Sequence, residues 1–464
     1  QIDPPEAPAH SRFLFQQVQS SGRETSRSDR SFPASWESSS PPEDICTIVY
    51  TSGTTGPPKG VLLTHENILS VIKALGAVVP ADDQDTYLSF LPLCHVFERI
   101  GGFFNGIYVG VTIYFAENME SLSRNILESR PTILLTVPRL LEKIHAAVQQ
   151  RVKEESPFKQ SLFNWAQRIG REAGRLTMLK RAVPPGLRFR HQIAYRMVFR
   201  KLTQALGGRV RFIVSAGAPI SKEIVEFFSA AGLYVMEGYG ATETTAPVSV
   251  NTLDQYRFGT VGKPLPGVEI KIDTNGEILV KGANVFQGYH NRPEDTDRSF
   301  TADGFFRTGD LGHLDIDGFL VITDRLKDIL ITSGGKNVAP QNIENLFKGD
   351  PLFSQVVVLG DRRPYLTMLV NLDPEEVIRK AGLLGIGPAE VSALLDDPRI
   401  LSWAREKVRE KNQALARYEQ IKDFRIVKTP FSLEGGELTA TLKVRRKVIL
   451  EKCNHLIESM YPDN

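Results

Sequence analysis

Residues 50–60 read YTSGTTGPPKG, and this stretch decides how the rest of the chain is interpreted. The apolar, β-branched run 45–50 in front of it predicts a buried strand. Apolar sequence resumes at Val61, and either Thr64 or Asn67 is suited to cap a following helix. The stretch therefore predicts a glycine- and hydroxyl-rich loop between two ordered elements.

The composition of this loop is suited to binding a polyphosphate. Glycines allow backbone N–H groups to turn toward an anion, hydroxyls donate hydrogen bonds to phosphate oxygens, and a lysine adds positive charge. The loop is not a Walker A motif, because Pro58 precedes the lysine and Gly60 follows it. A Ser/Thr/Gly linker is the alternative interpretation. The candidate phosphate-binding residues are Thr51, Ser52, Gly53, Thr54, Thr55, Gly56 and Lys59.

Composition indicates an ordinary globular protein of more than one domain. The 464 residues are 41% hydrophobic and 24% charged. A net charge of +2 argues against a nucleic-acid partner. Cys46, Cys94 and Cys453 lie far apart, which favours a reducing, cytoplasmic setting over a disulfide framework. The longest apolar run, 100–116, contains four glycines and predicts buried helix and strand rather than a membrane span.

Periodicity predicts alternating strands and helices through most of the chain. Residues 138–148 carry apolar side chains at helical spacing and start with a proline. Short β-rich runs with glycine and proline turns fill 259–310, which predicts a hairpin-rich β subdomain. Further strands are predicted at 88–93, 132–137, 210–215, 233–235, 356–359, 366–372 and 424–427, and further helices from Ile220 and over 390–412.

The TSGTTGPPKG loop resembles the phosphate loop of the adenylate-forming superfamily, which includes acyl-CoA synthetases, luciferases and peptide-synthetase adenylation domains. The resemblance implies an α/β fold: a large N-terminal domain of α/β sheet layers with a β-rich subdomain, and a small mobile α+β C-terminal domain. We place the large domain at 45–326, its β-rich subdomain at 257–326 and the small lid at 327–464. Residues 1–44 read as a linker or an incomplete N-terminal part, so the chain is expected to be N-terminally truncated relative to the family.

The segment EGYGATET at 237–244 is the second strong motif. Tyr239 lies between two glycines, which leave room for a base on its ring face. The resemblance implies that Tyr239 stacks on adenine, Thr242 contacts the α-phosphate and Glu243 binds Mg²⁺. It also places the turn Gly217, Ala218 and Pro219 against adenine, although a plain strand-to-helix turn is the alternative. The candidate ATP-binding residues of the motif are Glu237, Gly238, Tyr239, Gly240, Ala241 and Thr242.

Two charged residues near the end of the large domain are candidates for ribose binding. Asp310 closes the sequence RTGD, and Arg325 lies in the charged connector 324–328 between two strand-like runs. A turn cap and an ordinary charged hairpin are the respective alternatives. The resemblance implies that both residues contact the ribose and that Lys327 is the hinge of the lid.

Four further residues take their roles from the resemblance. His95, which by spacing alone is a hydrogen-bonded loop histidine, is implied to line the acid-substrate site. Gly334 and Gly335 are implied to pass the pantetheine arm of CoA. Lys443 is implied to be the catalytic lysine, although four cations in five residues weaken any choice by charge alone. Long-chain members usually have proline where Ala440 stands, which puts the stiffness of this loop in doubt.

The segment 171–211 is strongly basic, with eleven Lys or Arg residues and one acid. A solvated helical surface is one interpretation, and peripheral contact with an anionic membrane is the other, since aromatic residues alternate with the charges. An insertion at this position resembles long-chain fatty acyl-CoA synthetases more than other branches.

These features predict a long-chain fatty acid–CoA ligase that uses ATP, Mg²⁺ and CoA. The fatty acid would form an acyl-adenylate with release of pyrophosphate and would then pass to the CoA thiol, releasing AMP. The catalytic residues would be Lys443, Thr242 and Glu243. The alternatives are a related enzyme that activates another acid or loads a carrier protein, and a catalytically incomplete nucleotide-binding fragment.

Overall fold

The computed structural model describes residues 40–51, 58–326, 328–348, 350–387, 389–432, 434–438 and 444–461, together with Glu24. Most of the predicted N-terminal linker lies outside these ranges. Seven candidate site residues also lie outside them, namely Ser52, Gly53, Thr54, Thr55, Gly56, Lys327 and Lys443.

The phosphate loop joins two antiparallel strands. Strand β1 (Ile45–Thr51) pairs with β2 (Lys59–Thr64), and Thr51 lies opposite Lys59. The predicted strand at 45–50 is confirmed, but the prediction that it is buried is wrong, because only Val49 of β1 is buried. The remaining side chains of β1 are partly or fully exposed because this small sheet lies outside the central one.

Helix α1 (His65–Val78) begins directly after β2 and confirms the predicted cap. Thr64 accepts a hydrogen bond from the Asn67 amide, and Asn67 accepts one from the Thr64 amide, which forms a capping box. The Asn67 side chain also donates to two backbone carbonyls just before a third strand of this sheet, β12 (Gly288–Tyr289). The start of α1 therefore holds β12 against β2.

A seven-stranded sheet forms the centre of the large part of the chain, in the order β4-β3-β5-β6-β7-β8-β9. The first five strands are parallel and the last two are antiparallel. The middle strands are buried on both faces because helices cover both sides. The strands are β3 (Thr86–Ser89), β4 (Thr112–Phe115), β5 (Ile133–Thr136), β6 (Phe212–Ser215), β7 (Tyr234–Ala241), β8 (Ala246–Val250) and β9 (Lys263–Pro264).

Helices on the two faces of this sheet enclose two apolar cores. One core includes Phe212 of β6 with α1 and a π-helical segment, Phe97–Phe104, that continues into α2 (Asn105–Val109). The other includes Ile213, the next residue of β6, because successive side chains point to opposite faces. The helices that contribute to it are α4 (Pro138–Lys153), α5 (Pro157–Met178), α6 (Pro185–Ala194), a π-helical turn Tyr195–Phe199, α7 (Arg200–Ala205) and α8 (Lys222–Ala230). The remaining helix of this region is α3 (Leu122–Ser129).

The predicted elements of this region are confirmed in type and differ in their ends. Strand β3 stops at Ser89, short of the predicted end at residue 93. Helix α8 starts after Ser221, whose side chain caps it, and not at Ile220. The run 100–116 forms helix and strand as predicted, but β4 lies at the edge of the sheet, so Phe115 is exposed.

The predicted β subdomain is confirmed as a four-stranded antiparallel sheet, in the order β10-β11-β13-β14. Residues 277–280 are all buried, so this strand is covered on both faces. The strands are β10 (Glu269–Ile272), β11 (Glu277–Lys281), β13 (Phe306–Leu314) and β14 (Leu320–Arg325), and the short helix α9 (Pro293–Arg298) follows β12.

The described residues of 328–461 form an α+β core around the sheet β17-β18-β19. The predicted helix over 390–412 is two helices, because Asp397 caps a second helix that starts at Pro398. The strands are β15 (Leu330–Ile331), β16 (Asn337–Val338), β17 (Phe353–Leu359), β18 (Leu366–Leu372) and β19 (Ile421–Ile426). The helices are α10 (Pro340–Lys348), α11 (Pro374–Leu383), α12 (Val391–Leu394), α13 (Pro398–Asn412), α14 (Arg446–Lys452) and α15 (Asn454–Glu458).

Candidate functional site

Three predicted nucleotide-binding side chains meet where β7 approaches the β subdomain. The Tyr239 hydroxyl donates to Oδ2 of Asp310 at 2.7 Å, and Nε of Arg325 donates to Oδ1 of Asp310 at 3.0 Å. Asp310 and Arg325 lie directly opposite each other on β13 and β14. We call these three residues the ribose cluster. They are distant in sequence, so only the fold brings Tyr239 to the other two.

Charge and burial keep Tyr239 protonated and Arg325 positively charged. Burial, and then the neighbouring Asp310 carboxylate, raise the pKa of Tyr239 well above its usual value. The same carboxylate raises the pKa of Arg325. Each Asp310 oxygen therefore receives one hydrogen bond and keeps lone pairs to accept more. A buried carboxylate with this spare capacity can accept a pair of sugar hydroxyls.

A second group of side chains lies around Lys59, at the end of the phosphate loop. Nζ of Lys59 is 3.2 Å from Oδ2 of Asp295 and 4.7 Å from the centre of the Tyr289 ring. The Tyr289 hydroxyl donates to Oε1 of Glu243 at 2.8 Å. We call Lys59, Glu243, Tyr289 and Asp295 the phosphate cluster. Tyr289 and Asp295 were not identified from sequence. The one local signal beside Tyr289 is the adjacent Gly288, since a glycine leaves room around a neighbouring aromatic ring.

Strand β7 connects the two clusters. It carries Tyr239 and leads into the 3₁₀ turn Thr242–Thr244, which contains Glu243. Four residues of extended chain span at most about 13 Å, a distance that a nucleotide can bridge. Lys59, Asp310 and Arg325 thus join Glu243 in one connected site.

The two positions on either side of Tyr239 are glycine for different structural reasons. A Cβ on Gly240 would lie 1.9 Å from the Ala246 carbonyl oxygen, because β8 passes directly against β7 there. A Cβ on Gly238 would meet nothing closer than 3.6 Å. Gly240 is therefore required by backbone packing, whereas Gly238 leaves space beside Tyr239.

The turn predicted to face adenine follows β6, the strand next to β7. Gly217 has φ +87°, a left-handed conformation that favours glycine, and no atom lies near its Cβ position. Ala218 and Pro219 are exposed. The turn therefore offers an open surface beside the start of the 237–244 motif.

Glu237 is a buried acid in that motif, opposite Ser215 of β6. Burial alone raises the pKa of Glu237 from 4.5 to about 8. The carboxyl group is therefore neutral in the folded protein at neutral pH.

This shift predicts a pH-dependent contribution to stability. Between pH 4.5 and 8 the folded protein keeps the Glu237 proton that the unfolded chain loses, so the free energy of unfolding falls as pH rises through this window. Glutamine cannot ionise, so we expect Glu237→Gln to raise Tm relative to wild type more at pH 8.5 than at pH 5. Thermal unfolding monitored by circular dichroism measures the difference. Glu269→Gln, at an exposed position of β10, is the control. A Tm difference for Glu237→Gln that stays constant with pH would contradict the prediction.

An apolar cavity of about 60 Å³ begins beside the nucleotide residues and runs into the core. Ala216 and Gly238 line it, and their chain neighbours are Gly217 and Tyr239. Its walls also include Leu75, Phe97, Gly101, Gly102, Leu135, Phe212 and Val214. The cavity and the ribose cluster therefore share the same segment of β7.

The predicted substrate-lining residue His95 lies in a turn before the π-helical segment. Its Nδ1 accepts a hydrogen bond from the Phe97 amide at 3.3 Å, and Phe97 itself lines the apolar cavity. His95 therefore contacts a residue of the cavity wall but is not itself among the residues that line the cavity.

The other described candidates lie at the edges of the site or elsewhere. The Thr51 hydroxyl donates to the Lys59 carbonyl at 3.5 Å, and Thr242 stands next to Glu243. Gly334 and Gly335 form an exposed turn between β15 and β16. Ala241 ends β7, opposite Ala246 of β8.

The predicted Mg²⁺ site rests on Glu243 alone. Across the described ranges, no group of three or more His, Cys, Asp or Glu side chains is arranged to hold a metal ion. One carboxylate fits Mg²⁺, which keeps several waters and is held mainly by substrate phosphates.

The basic segment 171–211 covers α6, α7 and part of α5. Lys180 pairs with Asp254 and Arg211 with Asp85, and the other nine of its eleven cations form no ion pair with an acid of the described residues. Phe189 and Met197 are 64% and 52% exposed among these cations. None of the helices in the described part of the chain is sufficiently long and apolar to cross a bilayer.

The parallel sheet and the ribose cluster define an α/β protein with a candidate nucleotide site. The sequence profile of the AMP-binding enzyme family matches residues 5–290, and that of the AMP-binding enzyme C-terminal domain matches 327–464. The chain therefore belongs to the AMP-binding enzyme family.

Relatives and solved structures agree with this membership. The chain is 38% identical over 430 residues to the long-chain-fatty-acid–CoA ligase FadD15 of Mycobacterium bovis, covering 90% of this chain and 69% of that protein. It is 32% identical to the long-chain-fatty-acid–CoA ligase ACSBG2 of Xenopus laevis, covering 92% and 61%. The A domain of a carboxylic acid reductase from Segniliparus rugosus, solved with AMP and a co-purified carboxylic acid, superposes with a TM-score of 0.63 at 27% identity, covering 90% and 61%.

Proposed function

We propose that this protein is a long-chain fatty acid–CoA ligase that forms an acyl-adenylate from ATP and then an acyl-CoA. One observation carries the proposal: the ribose cluster and an apolar cavity share the segment around Gly238 and Tyr239. A nucleotide held by the cluster would have its α-phosphate toward Glu243. The cavity of about 60 Å³ is smaller than a fatty acyl chain, so the chain would widen it on binding, with its carboxylate toward the same place. The long-chain ligase names of the relatives support this choice of acid.

The roles of the site residues follow from the charge that develops during adenylation. Attack of the fatty carboxylate on the α-phosphate crowds negative charge, which preorganised cations and donors stabilise. We assign Lys59 and the hydroxyls of the phosphate loop to the β- and γ-phosphates, and Thr242 to the α-phosphate. Tyr239 with the turn 217–219 holds adenine, while Asp310 and Arg325 hold the ribose.

Mg²⁺ bound at Glu243 would neutralise phosphate charge in this reaction. The residues present suit such an ion, because Tyr289 holds one oxygen of the carboxylate and the second accepts no hydrogen bond from the part of the chain that the structure describes. No other acid need contribute, since ATP supplies the remaining oxygen ligands.

We propose that the small lid begins at Lys327 and moves between the two half-reactions. The match of the C-terminal domain profile from residue 327 supports this boundary. Lys443 would bridge the carboxylate and the α-phosphate during adenylation, and the turn at Gly334 and Gly335 would pass the CoA arm afterwards. Rotation about the hinge would exchange these two parts of the lid.

We also propose that segment 171–211 contacts an anionic membrane, the source of long-chain acids. Nine cations that form no ion pair with the described acids, and the exposed Phe189 and Met197, support this, since an interface-bound helix combines basic and apolar side chains. Co-sedimentation with phosphatidylglycerol vesicles tests it. We expect the protein to bind phosphatidylglycerol vesicles at low salt, and to bind neither these vesicles at high salt nor phosphatidylcholine vesicles. No binding to phosphatidylglycerol vesicles at low salt would refute the proposal.

Pyrophosphate exchange across a panel of acids tests the ligase function. We expect exchange with palmitate and formation of acyl-CoA and AMP when CoA is added. Exchange only with aryl or amino acids would support a related acid-activating enzyme. ATP binding without exchange in this chain, but with exchange in a version extended at the N-terminus, would support the incomplete nucleotide-binding fragment.

Asp310→Asn is expected to weaken ATP binding while leaving the fold intact. The amide keeps the size of the carboxylate but loses the charge that Arg325 and the ribose hydroxyls require. Losing one hydrogen bond to a charged group corresponds to about a tenfold rise in KM for ATP. Steady-state kinetics measure this change, and thermal unfolding checks the fold. Asp317→Asn, an exposed acid paired with Arg257, is the control and should leave KM unchanged. An unaltered KM in Asp310→Asn would exclude Asp310 from the ribose site.

A further inference from the structure

Tyr289 touches both functional members of the phosphate cluster. Its hydroxyl donates to Oε1 of Glu243 at 2.8 Å, and its ring lies 4.7 Å from Nζ of Lys59. One side chain therefore contacts both the candidate metal carboxylate and the candidate phosphate lysine. Lys59 and Glu243 come from segments of the chain that no sequence pattern connects.

The backbone around Tyr289 is held firmly. Tyr289 lies opposite Val61 in the β2–β12 pair, and its amide donates to the Thr296 hydroxyl at 2.9 Å. Its ring packs edge-on against Phe286, with ring centres 4.9 Å apart. A tyrosine with these constraints has a fixed ring plane and a fixed hydroxyl position, as a group that orients others must have.

We propose that Tyr289 is a positioning residue that sets the Glu243 carboxylate and the Lys59 ammonium relative to each other for MgATP. The inference rests on the proposed function, because it takes the metal and phosphate roles from there. The hydroxyl holds one carboxylate oxygen and leaves the other for the metal ion. The ring supports the ammonium by a cation–π contact.

Asp295 is the acidic neighbour of Lys59 in the phosphate cluster. Its carboxylate pairs with Lys59 at 3.2 Å and with Arg292 at 3.4 Å, and the hydrogen bond from Lys59 holds the pKa of Asp295 below its usual value. A triphosphate carries more negative charge than one carboxylate, so it attracts Lys59 more strongly. Lys59 then exchanges its anionic partner while its contact with the Tyr289 ring is kept.

Two substitutions at this position separate the hydroxyl from the ring. Tyr289→Phe removes the bond to Glu243 and keeps the ring beside Lys59, whereas Tyr289→Leu removes both. Titration calorimetry with ATP, with and without Mg²⁺, measures their effects directly. We expect Tyr289→Phe to weaken MgATP binding about tenfold and metal-free ATP binding less than about threefold, because the hydroxyl acts through the metal carboxylate. Tyr289→Leu is expected to weaken both.

A matched control and a second variant keep the test decisive. Tyr365→Phe removes a tyrosine hydroxyl bonded to the Met460 carbonyl, in the small C-terminal part, and should leave both affinities unchanged. If Tyr289→Leu does not fold, the double variant Tyr289→Phe with Glu243→Gln replaces it. Its loss of MgATP affinity should equal that of Glu243→Gln alone.

The outcomes distinguish this inference from the proposed function. Equal weakening of ATP binding with and without Mg²⁺ in Tyr289→Phe, or no weakening at all, would overturn the positioning role. Additive losses in the double variant would overturn it as well. Wild type could bind MgATP, and Tyr289→Phe weaken that binding as expected, while wild type activates no acid. In that case the ligase function fails and the positioning role remains.

Discussion

Gly240→Ala is expected to abolish stable folding. The new Cβ would lie 1.9 Å from the Ala246 carbonyl oxygen and 2.6 Å from its carbon. Both are backbone atoms, so no change of rotamer relieves the overlap, and β7 and β8 must separate. These strands carry the centre of the nucleotide site, and the cost should exceed about 4 kcal/mol, beyond the range of ordinary substitutions. Guanidinium unfolding and the yield of monomeric protein measure the effect.

Gly238→Ala is the matched control, two residues earlier in the same strand. Its Cβ would meet the Ser249 carbonyl oxygen at 3.6 Å and the Val250 side chain at 3.8 Å, which are ordinary contacts. We expect Tm to change by only a few degrees. Because Gly238 lines the apolar cavity, the added methyl group should instead raise KM for the fatty acid. A Gly240→Ala variant as stable as Gly238→Ala would show that β8 does not pass as closely as described.

Lys443→Ala is expected to reduce acyl-adenylate formation by at least about 100-fold. Removing one preorganised group that stabilises developing negative charge typically costs this much or more in rate. In the proposed mechanism the second half-reaction does not use this lysine at the phosphate, so transfer from supplied acyl-adenylate to CoA should proceed at the wild-type rate. Single-turnover assays of each half-reaction measure the two effects separately. Retained adenylation would refute the role.

The neighbouring cations provide controls for Lys443. Lys447 is exposed on α14, so Lys447→Ala should leave both half-reactions unchanged. An equal loss in Lys443→Ala and Lys447→Ala would indicate a general effect of positive charge. Arg446 is unsuitable as a control, because it donates to Glu344 at 2.6 Å and to the Val358 carbonyl in the core of the small domain.

The case of Arg446 shows where sequence reasoning stops. Within Lys443 to Lys447 four cations are equivalent by composition, and only the resemblance favoured Lys443. The structure removes Arg446 from the candidates by giving it a buried acid partner, Glu344, that lies about a hundred residues away in the chain. A pairing between distant residues leaves no local pattern.

Strand predictions show the same limit. The β-branched run of β1 predicted a strand correctly but not its exposure, because burial depends on which elements cover a strand. The β-rich runs of 259–310 predicted hairpins correctly, but not that residues 277–280 of β11 are buried on both faces. Local preferences of the backbone are encoded within a few residues, whereas burial is a property of the assembled layers.

The sequence by itself determined the loop motif at 50–60, the capped helix after it, the 237–244 motif and the family, because each depends on residues close together in the chain. Tertiary structure decided which distant side chains meet. It joined Asp310 to Tyr239, placed Tyr289 between Lys59 and Glu243, and made Gly240 irreplaceable through the approach of β8. The physical reason is that a site is defined by distances in space, and strand pairing between remote segments sets those distances.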